Sequence, residues 1–215
     1  MSALPDATFS DRQNEVLQTA LRLLVEGGEK ALTTAALART ANCSKESIYK
    51  WFGDRDGLLA SIVTYQASRV RVIDAAALPK TREQFAEALE LFARDLLDVL
   101  LSESSLALNR LCVGTVRGDE PGVGAVLLDR GKRRIEDRAR RLLEAGRSGG
   151  HIAFDDAGAA YRALYGLIIG DLHIRAMLGD GDAVSAISIT DQARAAVAQF
   201  LTLYAPAGAG GSSQT

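Results

Sequence analysis

Histidine and cysteine are scarce in this 215-residue sequence, with only His151, His173, Cys43 and Cys112 present. Two cysteines cannot make a disulfide framework. No C-x-x-C pair or repeated His/Cys/carboxylate spacing marks a metal site. Long hydrophobic runs are also missing, and no apolar stretch approaches the roughly 20 residues that a membrane span needs. The opening Met1-Ser2-Ala3-Leu4-Pro5-Asp6 lacks the basic-then-apolar layout of a secretory signal. A cytoplasmic address without membrane association is expected by elimination. Strand signals are absent too: there is no sustained period-2 alternation and few β-branched clusters. No Gly-rich phosphate loop follows a strand, and there is no Gly-x-Ser-x-Gly elbow or telling Ser/His/Asp arrangement. An enzyme is therefore not expected, and no catalytic residue, metal or cofactor is assigned.

What is present is an apolar, helix-patterned chain. Hydrophobic residues make up 47% of it, enough to build a packed core. The formal net charge is −2, which argues against a generally basic nucleic-acid binder, yet the charge is unevenly spread. Between Lys30 and Arg55 stand Lys30, Arg39, Lys45, Lys50 and Arg55 against Glu46 and Asp54, a local excess of +3. A compact basic patch on a mildly acidic protein suits a phosphate surface; an ordinary solvated face is the plainer reading.

The punctuation predicts an all-α chain of about nine helices. Residues 1–10 and the Gly/Ala/Ser-rich 205–215 read as disordered tails. The first helix, about residues 11–26, has one apolar face of Val16, Leu17, Ala20, Leu23 and Leu24 and stops at Gly27-Gly28. Thr33 opens a short helix through Ala41, Asn42-Cys43 makes a tight turn, and Ser44 opens a third helix over 45–51. Gly53-Asp54 breaks it and a long fourth helix starts near Arg55. After Pro79-Lys80-Thr81, Thr81-x-x-Gln84 matches a capping box ahead of a helix lined by Phe85, Leu89, Phe92, Leu96 and Leu100. A helix over 103–117 is stopped by Gly118 and Pro121. An arginine-rich helix covers about 122–145. Asp155-Asp156 begins a long apolar helix to Leu178, and Thr190-Asp191 caps a last one ending near Tyr204.

Residues 33–52 carry the functional signal. Two short helices joined by a tight turn, with a serine opening the second, form a helix-turn-helix pattern. The second helix of such a pair lies in the major groove, with its N-terminal residues at base edges and its open N–H groups favouring phosphate. This one offers Ser44, Lys45, Glu46, Ser47, Tyr49 and Lys50. Asn42 is a residue that tolerates the left-handed turn between the helices.

The stretch from Thr33 to Leu59 resembles the signature of the tetracycline-repressor (TetR/AcrR-like) family. That signature runs Thr, Ile-Ala, Ala-Gly-Val-Ser, Leu-Tyr-x-x-Phe, Lys and Leu-Leu. The counterparts here are Thr33, Leu37-Ala38, Ala41-Asn42-Cys43-Ser44, Ile48-Tyr49-Lys50-Trp51-Phe52, Arg55 and Leu58-Leu59. Arg110-Leu111, Pro121 and Gly131 resemble the family's AefR-like C-terminal subtype. The resemblance implies a helix-turn-helix domain at 11–54 and a helical effector-binding and dimerisation domain at 55–204. It implies a homodimer on a double-stranded DNA operator, with the last two helices forming the dimer bundle. It also implies a repressor relieved by a small molecule held in the C-terminal part. The chain departs from the pattern at Glu46 (commonly glycine), Asn42 (the turn glycine), Cys43 (valine) and Trp51 (a frequent histidine). No Arg or Lys precedes Arg12, so a minor-groove arm is not expected.

The resulting DNA-facing set is Thr33, Thr34, Ser44, Lys45, Glu46, Ser47, Tyr49, Lys50, Trp51 and Arg55. For Thr33 and Thr34 helix capping is the alternative to phosphate contact, for Tyr49 ring packing, and Trp51 stands open between the two. Cys43 is expected to be a small buried hydrophobe, with a thiol switch as the alternative. Pocket candidates are Phe92, Leu96, Asn109, Cys112, Tyr165, Ile169 and His173, which suggest a hydrophobic or aromatic effector. Asn109 is a buried amide that wants a partner, and His173 is alternatively a surface residue beside Asp171 and Arg175. Gly166 and Gly170, four apart, suit a dimer seam or local packing; Val197, Phe200, Leu201 and Tyr204 complete the dimer set on the last helix. A helical adaptor that binds protein instead of DNA stays open, because Glu46 is unusual and acids equal bases in the first 70 residues.

Overall fold

A computed structural model describes residues 9–71, 79–114 and 122–207. Every regular element among them is helical, and nine helices have seven residues or more. In order they are α1 (Asp11–Ala31), α2 (Thr34–Thr40), α3 (Lys45–Phe52), α4 (Arg55–Ser68), α5 (Arg82–Leu100), α6 (Glu103–Gly114) and the short α7 (Gly122–Val126). A π-helical segment, Leu127–Lys132, then leads into α8 (Arg133–Ser148), α9 (Ala157–Ile169), α10 (Leu172–Met177), α11 (Gly181–Ser185) and α12 (Ile189–Leu203).

The chain divides into two compact units interleaved in sequence. One comprises Met1–Arg69 and Ser102–Arg134, the other Val70–Leu101 and Ile135–Thr215. In the first unit Val16, Leu17, Ala20, Leu21 and Leu24 of α1 meet Leu37, Ile48, Phe52, Leu58, Leu59 and Ile62 in one buried cluster. Leu108, Leu111 and Cys112 of α6 close the same cluster. Burying several Leu/Ile/Phe side chains at ~1.5–3 kcal/mol each holds the short helices α2 and α3, which are too short to persist alone. Phe9 packs against this core, and Ser10 caps α1 through a reciprocal pair: Gln13 N–H donates to Ser10 Oγ (3.3 Å), Ser10 N–H to Gln13 Oε1 (2.9 Å). Residues 9 and 10 thus belong to the fold, while 1–8 and 208–215 lie outside the described residues.

In the second unit α12 packs against α5 and α9. Phe85, Leu89, Leu96, Leu97, Ile152, Leu164, Ile168 and Phe200 are almost wholly buried there. Gln192 of α12 donates through Nε2 to the carbonyls of Leu167 and Ile168 (3.3 and 3.0 Å), serving the open end of α9. Asp95, 7% exposed, accepts from Arg71 Nε (2.8 Å), Arg71 Nη2 (2.7 Å) and the Arg71 backbone N–H (3.0 Å).

Several expected boundaries move, each for a local reason. The Gly27-Gly28 stop is a kink: Gly28 takes φ +64° and the helix resumes for a last turn to Ala31. Thr81 caps α5 by accepting from Gln84 N–H (3.2 Å), but Gln84 Oε1 returns to Lys80 N–H (3.0 Å) rather than to the cap residue. The helix expected over 122–145 contains the π-helical segment, where Gly131 is buried. A Cβ on Gly131 would sit 3.3 Å from both Val63 of α4 and Leu127, a tight fit that those side chains would have to yield to by a few tenths of an ångström. The helix expected to run from 155 to 178 breaks at Gly170, whose φ of +49° ends α9 before α10 begins. Ser188, not Thr190-Asp191, caps the last helix, its Oγ accepting from Asp191 N–H (3.3 Å). The helix expected to reach Arg117 is described to Gly114, and the stops at Gly118 and Pro121 lie outside the described residues.

Burial pushes the Asp95 carboxyl up, but hydrogen bonds from the Arg71 side chain and backbone, with its charge, outweigh this and hold it below the usual carboxylate range. Because the folded value is the depressed one, the ion pair stabilises the fold above the unfolded pKa. That contribution is lost as pH falls through the folded value. Asp95→Asn is therefore expected to lower urea-unfolding stability at pH 7 by about 2 kcal/mol. The gap from wild type should close as the pH drops below about 4.

Candidate nucleic-acid interface

The site is built on α3, an eight-residue helix with two dissimilar faces. Ile48 (2% exposed) and Phe52 (5%) point into the core of the first unit, and Trp51, half-buried, packs beside them with its ring edge-on to Phe52 at 6.2 Å. That seating turns Lys45, Glu46, Tyr49 and Lys50 to solvent; Tyr49 is 54% exposed. Ser44 caps the helix, its Oγ accepting from Ser47 N–H (3.1 Å) and lying 3.1 Å from the Ser47 hydroxyl.

The turn before α3 sets the helix's angle. Asn42 takes φ +50°, the one positive φ outside glycine among the described residues, and an amide side chain tolerates it. Asn42 N–H donates to Arg39 O (3.3 Å) and Cys43 N–H to Ala38 O (2.9 Å), closing the end of α2. The two outward carbonyls of the turn are taken by Arg12 from the first turn of α1: Nη2 donates to Ala41 O (2.6 Å) and Asn42 O (2.9 Å). Arg12 also pairs with Glu15 (2.6 Å). Sequence reasoning passed over this clamp, because a lone arginine 29 residues before its acceptor carries no periodic signal.

Thr33 caps α2, its Oγ1 accepting from Ala36 N–H (3.1 Å). Thr33, Thr34, Tyr49 and Arg55 line one groove of about 190 Å³ over an apolar floor that includes Leu32, Ile48, Leu58 and Leu59. Arg55 is not simply solvated: Nη2 donates to Glu29 Oε1 at 2.7 Å. Glu29 follows the Gly28 kink of α1, which no sequence pattern linked to Arg55. Glu46 is exposed, and its carboxyl is held below the usual range, first by the helix backbone N–H, then by the Ser44 hydroxyl, which with the Lys45 charge outweigh the opposing effect of desolvation. Cys43 is half-buried against the core.

The other predicted residues are dispersed. Asn109 and Cys112 belong to the first unit; Phe92, Leu96, Tyr165, Ile169 and His173 belong to the second. Asn109 Nδ2 donates one turn back to Ser105 O (2.8 Å), so the buried amide is served by its own helix. Burial pushes the Cys112 thiol up to about 11, so it behaves as an apolar group rather than a reactive thiolate. Phe92, Leu96 and Ile169 are core, while Tyr165 and His173 are half-buried. A second cavity, about 420 Å³, lies between α1 and α6 and is lined by none of these seven residues. In the dimer set, Val197 and Phe200 (1% and 0% exposed) are buried within the chain itself, and Phe200 stacks on Tyr204 at 4.6 Å. Leu201 and Tyr204 are half-buried, Gly166 is exposed, and Gly170 owes its identity to the break after α9. Among the described residues no group of three His, Cys, Asp or Glu could hold a metal ion, and no helix is long and apolar enough to cross a membrane.

A capped, solvent-facing second helix on a rigid turn defines a helix-turn-helix of the kind that reads DNA. Family comparison agrees. Residues 16–62 match the model of the bacterial regulatory proteins of the tetR family, and residues 87–206 match the C-terminal domain of AefR-like transcriptional repressors. A TetR transcriptional regulator from Agrobacterium tumefaciens is 55% identical, with 93% of this chain and 97% of that one covered and a TM-score of 0.79. A TetR-family regulator from Mesorhizobium loti (24% identity, 93% and 100% covered, TM-score 0.69) shares the fold. So does the flavonoid-responsive regulator FrrA (24% identity, 91% and 98% covered, TM-score 0.64). No curated protein matches. The chain belongs to the TetR family of DNA-binding helix-turn-helix transcription regulators and carries an AefR-like repressor C-terminal domain.

The two faces of α3 are expected to separate stability from binding. Ile48→Ala should cost about 2–5 kcal/mol in thermal or urea unfolding. Tyr49→Phe should leave the melting temperature unchanged while weakening DNA binding about threefold to tenfold, the worth of one neutral hydrogen bond.

Proposed function

We propose that the chain is a homodimeric repressor acting in the cytoplasm, released from a palindromic operator by a small-molecule effector. Each protomer lays α3 in a major groove, with half-sites one helical turn, ~34 Å, or a near multiple apart. Residues 11–54 do the reading and residues 55–204 hold the effector and the partner subunit. The observation that carries this reading is the outward face of α3, where Lys45, Tyr49 and Lys50 stand opposite a sealed apolar face. Thr33, Thr34, Ser44 and Ser47 supply hydroxyls around it, and Trp51 props the helix from its flank. Arg55 reaches phosphate by exchanging its bond to Glu29, an exposed pair that costs little to break.

The effector is hydrophobic or aromatic and is held within the second unit, where Phe92, Leu96, Tyr165, Ile169 and His173 are the contacts. The partner face uses the outward residues of α9 and α12. Ala159, Arg162 and Gly166 are exposed on α9, and Ala195, Ala198, Gln199 and Thr202 on α12. Small side chains there allow close helix approach, with Leu201 and Tyr204 at the margin. Val197 and Phe200 support this face from inside.

Two experiments test the reading. In fluorescence anisotropy with DNA tiled across the protein's own upstream region, one tile should bind in competition with scrambled DNA. Affinity should fall steeply with salt, and Lys45→Glu/Lys50→Glu should weaken it at least tenfold. Flat curves on every tile and in a genome-wide selection, or indifference to the charge reversal, would favour a protein-binding adaptor instead. In light scattering, wild type should be a dimer and Ala198→Arg a folded monomer; a dimer in both would move the partner face elsewhere.

A further inference from the structure

Three of the four side chains on the solvent face of α3 suit a polyanion, and Glu46 does not. It is fully exposed on the second residue of the helix, between Lys45 and the Ser44–Ser47 hydroxyl pair. In the free protein a carboxylate suits the first turn of a helix, where the open backbone N–H groups and the Ser44 hydroxyl lower its pKa. An exposed carboxylate is ionised at neutral pH, so Glu46 meets the DNA as a charge. No ion pair offsets it among the described residues. A carboxylate in the major groove must find a donor or be repelled. Guanine presents N7 and O6 there and thymine O4, all acceptors; adenine has one donor but sets N7 beside it; cytosine presents N4–H₂ alone.

We propose that Glu46 is a base-specificity determinant: each half-site carries a cytosine whose N4 amino group donates to the Glu46 carboxylate, and thymine or guanine at that position is rejected by acceptor–acceptor repulsion. This rests on the regulator reading above. It assigns to the departure from the family pattern a role in sequence choice, with Lys45, Tyr49 and Lys50 supplying sequence-independent grip.

In vitro selection from a random DNA pool, with wild type, Glu46→Gln and Glu46→Ala in parallel, tests it. Wild type should select C at one position in each half-site and lose roughly 5- to 150-fold in affinity when that C·G pair becomes T·A. Glu46→Gln, which both donates and accepts, should shift that column towards A. Glu46→Ala should flatten that column only, while its binding to scrambled DNA rises. If the selected motif is identical for all three proteins, with changes confined to melting temperature, Glu46 is only a helix-end group and the proposal fails. If wild type enriches no motif, the regulator reading itself fails and this inference with it.

Discussion

The seating of Ile48 and Phe52 in the core of the first unit is the constraint on which the interface depends. α3 is too short to be stable alone, so its orientation is whatever the core dictates. Once those two side chains are buried against α1, α2 and α4, the remaining positions have no freedom of face. Arg12 and Asn42 add the second half of the constraint. One fixes the carbonyls of the turn, the other accepts its left-handed backbone, and together they set the angle at which α3 leaves α2.

Electrostatics act on a scale set by that geometry. The chain carries a small negative net charge, yet the surface around α3 is locally basic. Arg55 is tied to Glu29, so not every basic side chain in the stretch is equally available. The second unit uses charge differently: Asp95 is buried and triply hydrogen-bonded to Arg71, an attachment of chain to helix rather than a contact surface.

Much of the fold was legible in the sequence because it is written in local chemistry. Thr33 and Ser44 cap helices within three residues of themselves, and the spacing of Val16, Leu17, Ala20 and Leu24 announces a buried face. What stayed hidden depends on partners distant in sequence or on backbone choices that glycine permits. Gly170 sits between the apolar 167–169 and a stretch where Leu172, Ile174 and Ala176 keep an apolar signal, so pattern alone continues the helix through it. Gly131 looks like any helix-interior glycine until its close approach to Val63 is seen. On α12, Val197 and Phe200 carry the same apolar signal whether they face the chain's own core or another subunit, and only burial separates the two. Pocket residues were least legible, since an apolar stripe looks alike whether it lines a cavity or fills one.

The interleaving of the two units bears on how such regulators are recombined. Leu108, Leu111 and Cys112 complete the core beneath the helix-turn-helix, though they lie far beyond it in the chain. A reading head cut out after α4 would leave that apolar surface open to water. A hybrid regulator that borrows this DNA specificity must therefore transplant two separated stretches of polypeptide, or only the outward side chains of α3, which can be exchanged without disturbing what lies underneath.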